Sequence, residues 1–190
     1  MGGLILLVLA VVVVLWVIGA YNGLISLKNQ VVNAWKQIDV QLKRRHDLIP
    51  NLVNTVKGAM EFERGTLEAV IAARNKAVSA QGVAATAKAE GELSQALGRL
   101  FALSENYPEL KSSSNVLQLQ EELTSTENKI GFARQLYNDV ATQYNTKQMQ
   151  FPTSLVAGLA KASPAELWEI EDAAERAVPN VDLSMNKPTA

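Results

Sequence analysis

The stretch LILLVLAVVVVLWVI, residues 4–18, holds no charged or hydrogen-bonding side chain except the Trp16 indole, and Gly19 and Ala20 prolong it. The first charged side chain is Lys28. About 17 such residues form a helix of roughly 25 Å, close to the ~30 Å hydrocarbon core of a bilayer. Only a helix satisfies its own backbone in lipid, so the Val-rich run reads as helix despite its β-branched residues. Residues 1–20 are therefore expected to be a transmembrane anchor carried by Leu4, Leu7, Val11, Val14 and Ile18. Trp16 and Tyr21 stand near its end, where amphipathic rings favour the headgroup zone.

Met1-Gly2-Gly3 lacks the positive n-region of a cleaved signal peptide, and Leu6 does not fit a myristoylation pattern. Basic residues follow the span and none precedes it, beginning with Lys28 and Lys36. The positive-inside rule then puts the short tail outside and the bulk of the chain in the cytoplasm, with a periplasmic bundle as the alternative. Gly19 and Gly23 make one GxxxG, a spacing that lets helices approach closely.

Beyond the anchor the apolar residues advance by threes and fours: Leu24, Leu27, Val31, Trp35, Ile38, Leu42, Ile49, Leu52, Val56 and Ala59. That near-heptad seam marks a long helix laid along partners. Leu67, Val70, Ala73 and Ala77 continue it, so one helix is expected from the anchor to residue 79, about 110 Å long. Pro50 is expected to kink it, because proline removes a backbone bond and crowds the carbonyl of His46. A second helix is expected from Ala84 to Asn106, ended by Tyr107-Pro108. A third, with N-cap candidates in Ser112–Asn115, runs from Val116 to Phe151-Pro152 along Leu119, Leu123, Ile130, Ala133, Tyr137, Val140 and Tyr144. Ser163-Pro164-Ala165-Glu166 reads as a capping box opening a short helix to about Ala177, before a loose tail.

The expected fold is thus all-α: a transmembrane helix continuous with an elongated antiparallel three- or four-helix bundle. The units are the anchor, residues 1–20, the bundle, 21–162, and a C-terminal helix and tail, 163–190.

The net charge of −1 gives no strong pull toward nucleic acid or anionic lipid. Cysteine is absent, which removes disulfides, thiolate zinc sites and thiol nucleophiles. No phosphate loop, HExxH or GxSxG occurs, and no cofactor or metal is expected. His46, the single histidine, reads as a surface or capping residue, since one imidazole without cysteine does not assemble a typical transition-metal site. Glu61, Glu63 and Glu68 interleave with Lys57, Arg64 and Arg74, as on a solvated face.

Some charges fall where the seam should be apolar. Stepping by sevens from Val31 through Ile38 reaches Arg45, then Leu52 and Ala59. Glu127, Arg134 and Asn138 fall on or beside the stripe of the third helix, and Arg74 falls among small residues. They form either a buried polar network that fixes register or opens a site, or partly exposed ion pairs with snorkelling stems.

The strings YNGL (21–24), KRRHDLIPNLV (43–53), ENYPELK (105–111), LQLQEELTSTENKIGFARQLYN (117–138), YN (144–145) and FP (151–152) closely resemble the LemA family. The resemblance covers nearly the whole chain after the anchor, with the motifs in order. It implies a bacterial membrane-associated protein with an N-terminal membrane helix, an antiparallel bundle and no established catalytic activity. It also implies gene neighbours encoding a TPM-domain protein or a membrane metalloprotease. The matched polar positions are Arg45, Asp47, Asn51, Arg74, Glu105, Glu127, Arg134, Asn138 and Asn145, which are candidates for a structural or interaction network.

The functional expectation is a non-enzymatic scaffold of the bacterial inner membrane, held by lipid and associating laterally into homo-oligomers. An adaptor for a membrane protease or another envelope protein is the alternative. A hydrolase using bundle carboxylates is a remote third.

Overall fold

A computed structural model of the protein describes residues 1–169. Every regular element among them is helical, so the all-α expectation holds. The first helix, α1, runs from Gly2 to Val56 without a break and spans about 80 Å. An 18-residue window within it has mean hydropathy 3.1 and none of it is buried inside the protein. A core helix of that composition would be covered; this one is bare, as an anchor in lipid must be. Among the described residues nothing comes within 4 Å of where a Cβ on Gly19 or Gly23 would stand, so the GxxxG packs against none of the described elements. Burial starts at Leu24 and follows the expected seam through Val31, Ile38, Leu42, Arg45, Ile49, Leu52 and Val56.

The helix does not reach residue 79. It ends at Val56, and the chain turns through Lys57–Met60 and a 3₁₀ turn, Glu61–Glu63. Helix α2, Arg64–Ser79, then runs back along it. Gly58 weakens the helix there, and Met60, fully buried, plugs the end of the bundle. The stripe of Leu67, Val70 and Ala77 keeps its period because it packs on the same core from the other direction.

Gly82 joins α2 to α3, Val83–Ser104, with φ +83°, ψ 164°, a region essentially reserved for glycine. A short helix α4, Pro108–Lys111, leads into α5, Ser114–Met149. Ser113 stands at the N-cap of α5, but its hydroxyl makes no capping bond. After the cis peptide Phe151-Pro152 come a single helical turn, α6, Ser154–Ala157, and a segment without regular secondary structure.

Residue pairs give the register. Arg45 meets Glu127 and Trp35 meets Tyr137, so ten residues back along α1 match ten forward along α5. Lys76 bonds Glu92 at 2.6 Å and Tyr107 bonds Glu63 at 3.2 Å, which makes α2 and α3 antiparallel too. Desolvation, with Glu63 adding to it, pushes the Tyr107 hydroxyl above its usual range. The helices α1, α2, α3 and α5 thus form an up-down four-helix bundle at the end far from the anchor. Nearer the anchor only α1 and α5 continue, covered by α6 and the segment after it.

Two apolar cores result. The distal core joins Ile49, Leu52, Val56, Met60, Val70, Leu93, Leu100 and Leu123. The proximal core joins Leu24, Ile38, Leu42, Ile130, Tyr137, Tyr144 and Trp168.

The α1 helix also passes through Pro50 without ending. Proline has no N–H for the His46 carbonyl four residues back, yet that carbonyl is satisfied. Arg74 Nε, reaching from α2, donates to it at 3.2 Å. The pairing predicts a coupled response. Arg74→Ala should cost about 1–2 kcal/mol, and much less in a Pro50→Ala background, where the substituted residue supplies the missing N–H. A double-mutant cycle in denaturant reads this; equal penalties in both backgrounds would separate the two residues.

The expected C-terminal helix is not seen over the residues described. Ser163–Glu169 is non-helical, and the rest of that helix lies outside the described residues. The reason is on α5. Asn145 Nδ2 donates to the Ala165 carbonyl at 2.8 Å, and its Oδ1 accepts the Ala165 N–H at 2.7 Å. Asn138 treats Trp168 the same way, at 3.0 and 2.8 Å. The spacing matches: seven helical residues rise about 10.5 Å and three extended residues about 10 Å. Two asparagine amides thus imitate a neighbouring strand and hold residues 165–168 extended, as a strap.

Candidate functional site

Between the two cores lies a layer of charge. Arg45 is 4% exposed and His46 9%. Both come from the two turns of α1 that separate Leu42, in the proximal core, from Ile49, in the distal one. Glu90, also 4% exposed, enters from α3. Arg45 Nη1 lies 3.3 Å from Glu90 Oε2 and 2.9 Å from Glu127 Oε2, and Nη2 donates to Ser94 Oγ at 2.7 Å. His46 Nε2 sits 2.6 Å from the other oxygen of Glu90.

One guanidinium therefore ties α1 to α3 and to α5. Burying an ion pair is expensive, and the layer meets that cost by giving both Glu90 oxygens a partner and by leaving Glu127 half in water. A slip of either helix would strand Glu90 or Arg45 in an apolar core.

A cleft of about 350 Å³ opens beside it, lined among others by Arg45, Glu90, Ser94, Glu127, Arg134 and Trp168. Its size suits a small ligand. The Arg134 guanidinium lies over the Trp168 ring, 5.2 Å from its centroid, a cation–π contact. Trp168 in turn leans on Trp35 at 6.0 Å, and Trp35 meets Tyr137 edge-on at 5.5 Å. The Tyr137 hydroxyl donates to the Glu166 carbonyl at 2.7 Å; burial first, then the charge of Glu166, pushes its pKa up. Ser94, the hydroxyl in the cleft, is held by Arg45 rather than by His46, so the imidazole is not placed to activate it. No group of three or more His, Asp or Glu able to hold a metal occurs among the described residues.

The nine polar positions picked from sequence separate into four sets. Arg45 and Glu127 meet in the buried layer. Arg134, Asn138 and Asn145 hold the strap. Arg74 serves the His46 carbonyl. Asp47, Asn51 and Glu105 are exposed and join none of these: Asp47 pairs with Lys43 at 3.0 Å and Glu105 with Lys111 at 2.7 Å. His46, expected at the surface or a cap, is buried instead, because Glu90 gives its ring a charged acceptor. Sequence reasoning missed Glu90. Its signal was present: Ala87, Glu90, Leu93 and Leu97 form one stripe by threes and fours, with a carboxylate at its second place.

Comparison with known proteins gives these residues a wider setting. The model of the LemA family matches residues 34–183, a range that includes the polar layer and the strap. Protein LemA of Metamycoplasma hominis is 31% identical over 142 residues, 74% of this chain and 64% of that protein. Magnetosome proteins MamQ 2 and MamQ 1 of Paramagnetospirillum magneticum are each 23% identical over 181 residues, 82% of this chain and 66% of each relative. The chain spans just under two thirds of the length of these relatives. With its long apolar N-terminal helix and its helical body, the chain belongs to the LemA family.

Proposed function

We propose that the protein is a non-catalytic, membrane-tethered scaffold that associates laterally with copies of itself in the bacterial inner membrane. A bare apolar groove on the outer face of α1 and α5 carries this reading. Val40 is 63% exposed and Phe132 75%, and the register sets them at the same level. Leu136, Lys36, Gln37 and Lys129 complete the groove. The Gln41 side-chain oxygen at its floor is buried with no hydrogen-bond partner among the described residues. Large apolar side chains grouped on a rigid face fit an interaction surface, and a second parallel rod in the same membrane offers the matching one. The basic residues after the span favour a cytoplasmic bundle.

Cross-linking in membranes followed by sizing in lipid nanodiscs tests the scaffold. Oligomers are expected, reduced about tenfold or more by Phe132→Glu with Leu136→Glu, each of which would bury a charge at the contact. A strictly monomeric chain in both assays contradicts self-association. Near-stoichiometric capture of a protease or another envelope protein at the same face would favour the adaptor instead. A cysteine placed at Ser113, in the turn before α5, reports the side: an impermeant thiol reagent on intact cells should leave it unlabelled.

A further inference from the structure

The register places the far end of α5 against the membrane. Trp35 faces Tyr137, so twelve residues further along α5, Met149 stands level with Gly23, within a turn of the end of the apolar run. The chain then turns at Phe151-Pro152, packs α6 onto α1 and α5, and climbs back only at Ala165, beside Asn145. Residues 150–160 are the underside of the bundle.

That underside has two faces. Val156 and Ala160, four apart, are buried against the helices. Leu155 and Leu159, also four apart, are 69% and 71% exposed, with Phe151 at 81% and Met149 beside them. Four large apolar side chains in one short turn, aimed away from the core, have no occupant within the described chain.

Charge agrees with position. The overall charge of −1 conceals an asymmetry: no Asp or Glu occurs in residues 1–38 or 140–165, the parts of the chain at this end. Lys28, Lys36, Lys147 and Lys161 do. An exposed apolar patch at a lysine-bearing, acid-free end of the chain beside a membrane anchor suits the interface, where acyl chains meet phosphate headgroups.

We propose that the Met149–Leu159 turn is a second membrane contact, a foot whose apolar side chains enter the interface while the lysines meet anionic headgroups. It rests on the anchor lying in the bilayer. Foot and anchor together fix the tilt of the rod, which one flexible contact would leave free.

The chain lacks cysteine, so single cysteines at Phe151, Leu155, Leu159, Val12 and Phe62 can carry spin labels on the full-length protein. The protein is reconstituted in phosphatidylcholine vesicles containing about a quarter phosphatidylglycerol, and each label is probed with oxygen and with a water-soluble nickel complex. Foot labels should resemble Val12, with an oxygen-to-nickel ratio about threefold or more above that of Phe62, which is 94% exposed at the far end of the bundle. Lys147→Glu with Lys161→Glu should lower the ratio at Leu155. Foot labels as aqueous as Phe62, with Val12 in lipid, overturn the foot and leave the anchor standing. Foot labels shielded from both reagents also overturn it, since protein then covers the patch. An aqueous Val12 overturns both anchor and foot.

Discussion

Arg45→Ala should destabilise the bundle by about 3–5 kcal/mol, the usual cost of leaving one member of a buried ion pair behind. Glu90 is 4% exposed and would keep only His46 as a partner. The expectation has an internal control. Glu127→Ala removes a carboxylate that is about half exposed, and should cost about 1 kcal/mol or less. A second control separates charge from volume. Arg45→Met with Glu90→Leu and His46→Leu removes the polar layer together, and should bring stability back to within about 1 kcal/mol of the starting protein or above it. What that triple variant should lose is uniqueness. Denaturation followed by circular dichroism in detergent measures the stabilities, and a cross-link from α1 to α5 near residues 45 and 127 reads the register. Register heterogeneity in the triple variant, absent from the parent, is the expected outcome.

The second large effect belongs to the strap. Each asparagine amide makes two hydrogen bonds to it, so Asn138→Leu or Asn145→Leu should cost about 2 kcal/mol, at about 1 kcal/mol per neutral bond. The double variant should loosen the strap further, leaving it the Tyr137 bond to Glu166, the Arg134 contact and the packing of Trp168 on Trp35. Hydrogen exchange at the amides of Ala165 and Trp168 should accelerate by about tenfold or more in either single variant. Exchange in the distal core should stay unchanged, since Leu93 and Leu100 touch neither asparagine. Unfolding of both cores together would show that the strap is part of one cooperative unit. Asn138→Asp is the informative conservative change: it keeps an acceptor for the Trp168 N–H and sets a negative charge beside the Trp168 carbonyl.

The seam from Leu24 to Val56 was readable because core positions on a long helix repeat, and Arg45 was readable as the charge that breaks the repeat. The fold-back at Lys57–Glu63 was not. A stripe packed against one core keeps its spacing whether the helix continues or returns, and Gly58 alone is a weak stop signal. Glu90 hid in an Ala-rich helix whose stripe reads as beginning at Leu93, one step too late to include it. The capping-box pattern Ser163-Pro164-Ala165-Glu166 is a sound local signal for a helix start. Tertiary structure overrides it here, because Asn138 and Asn145 offer the backbone of Ala165 and Trp168 four hydrogen bonds in the extended form. Asparagines on α5 and the segment they hold lie about twenty to thirty residues apart in sequence, a pairing no local pattern encodes.

Scaffold and foot both depend on one physical statement: α1 leaves the bilayer and enters the bundle as a single stiff helix. Spin labels at Val12, in the anchor, and Val40, on the bundle, measure it in one experiment. Labelled chains diluted with unlabelled protein in vesicles should give one narrow distance distribution centred near about 42 Å, the rise of the intervening helix at 1.5 Å per residue. A broad distribution, or one centred well below that length, would mean a hinge between membrane and bundle and would contradict the account.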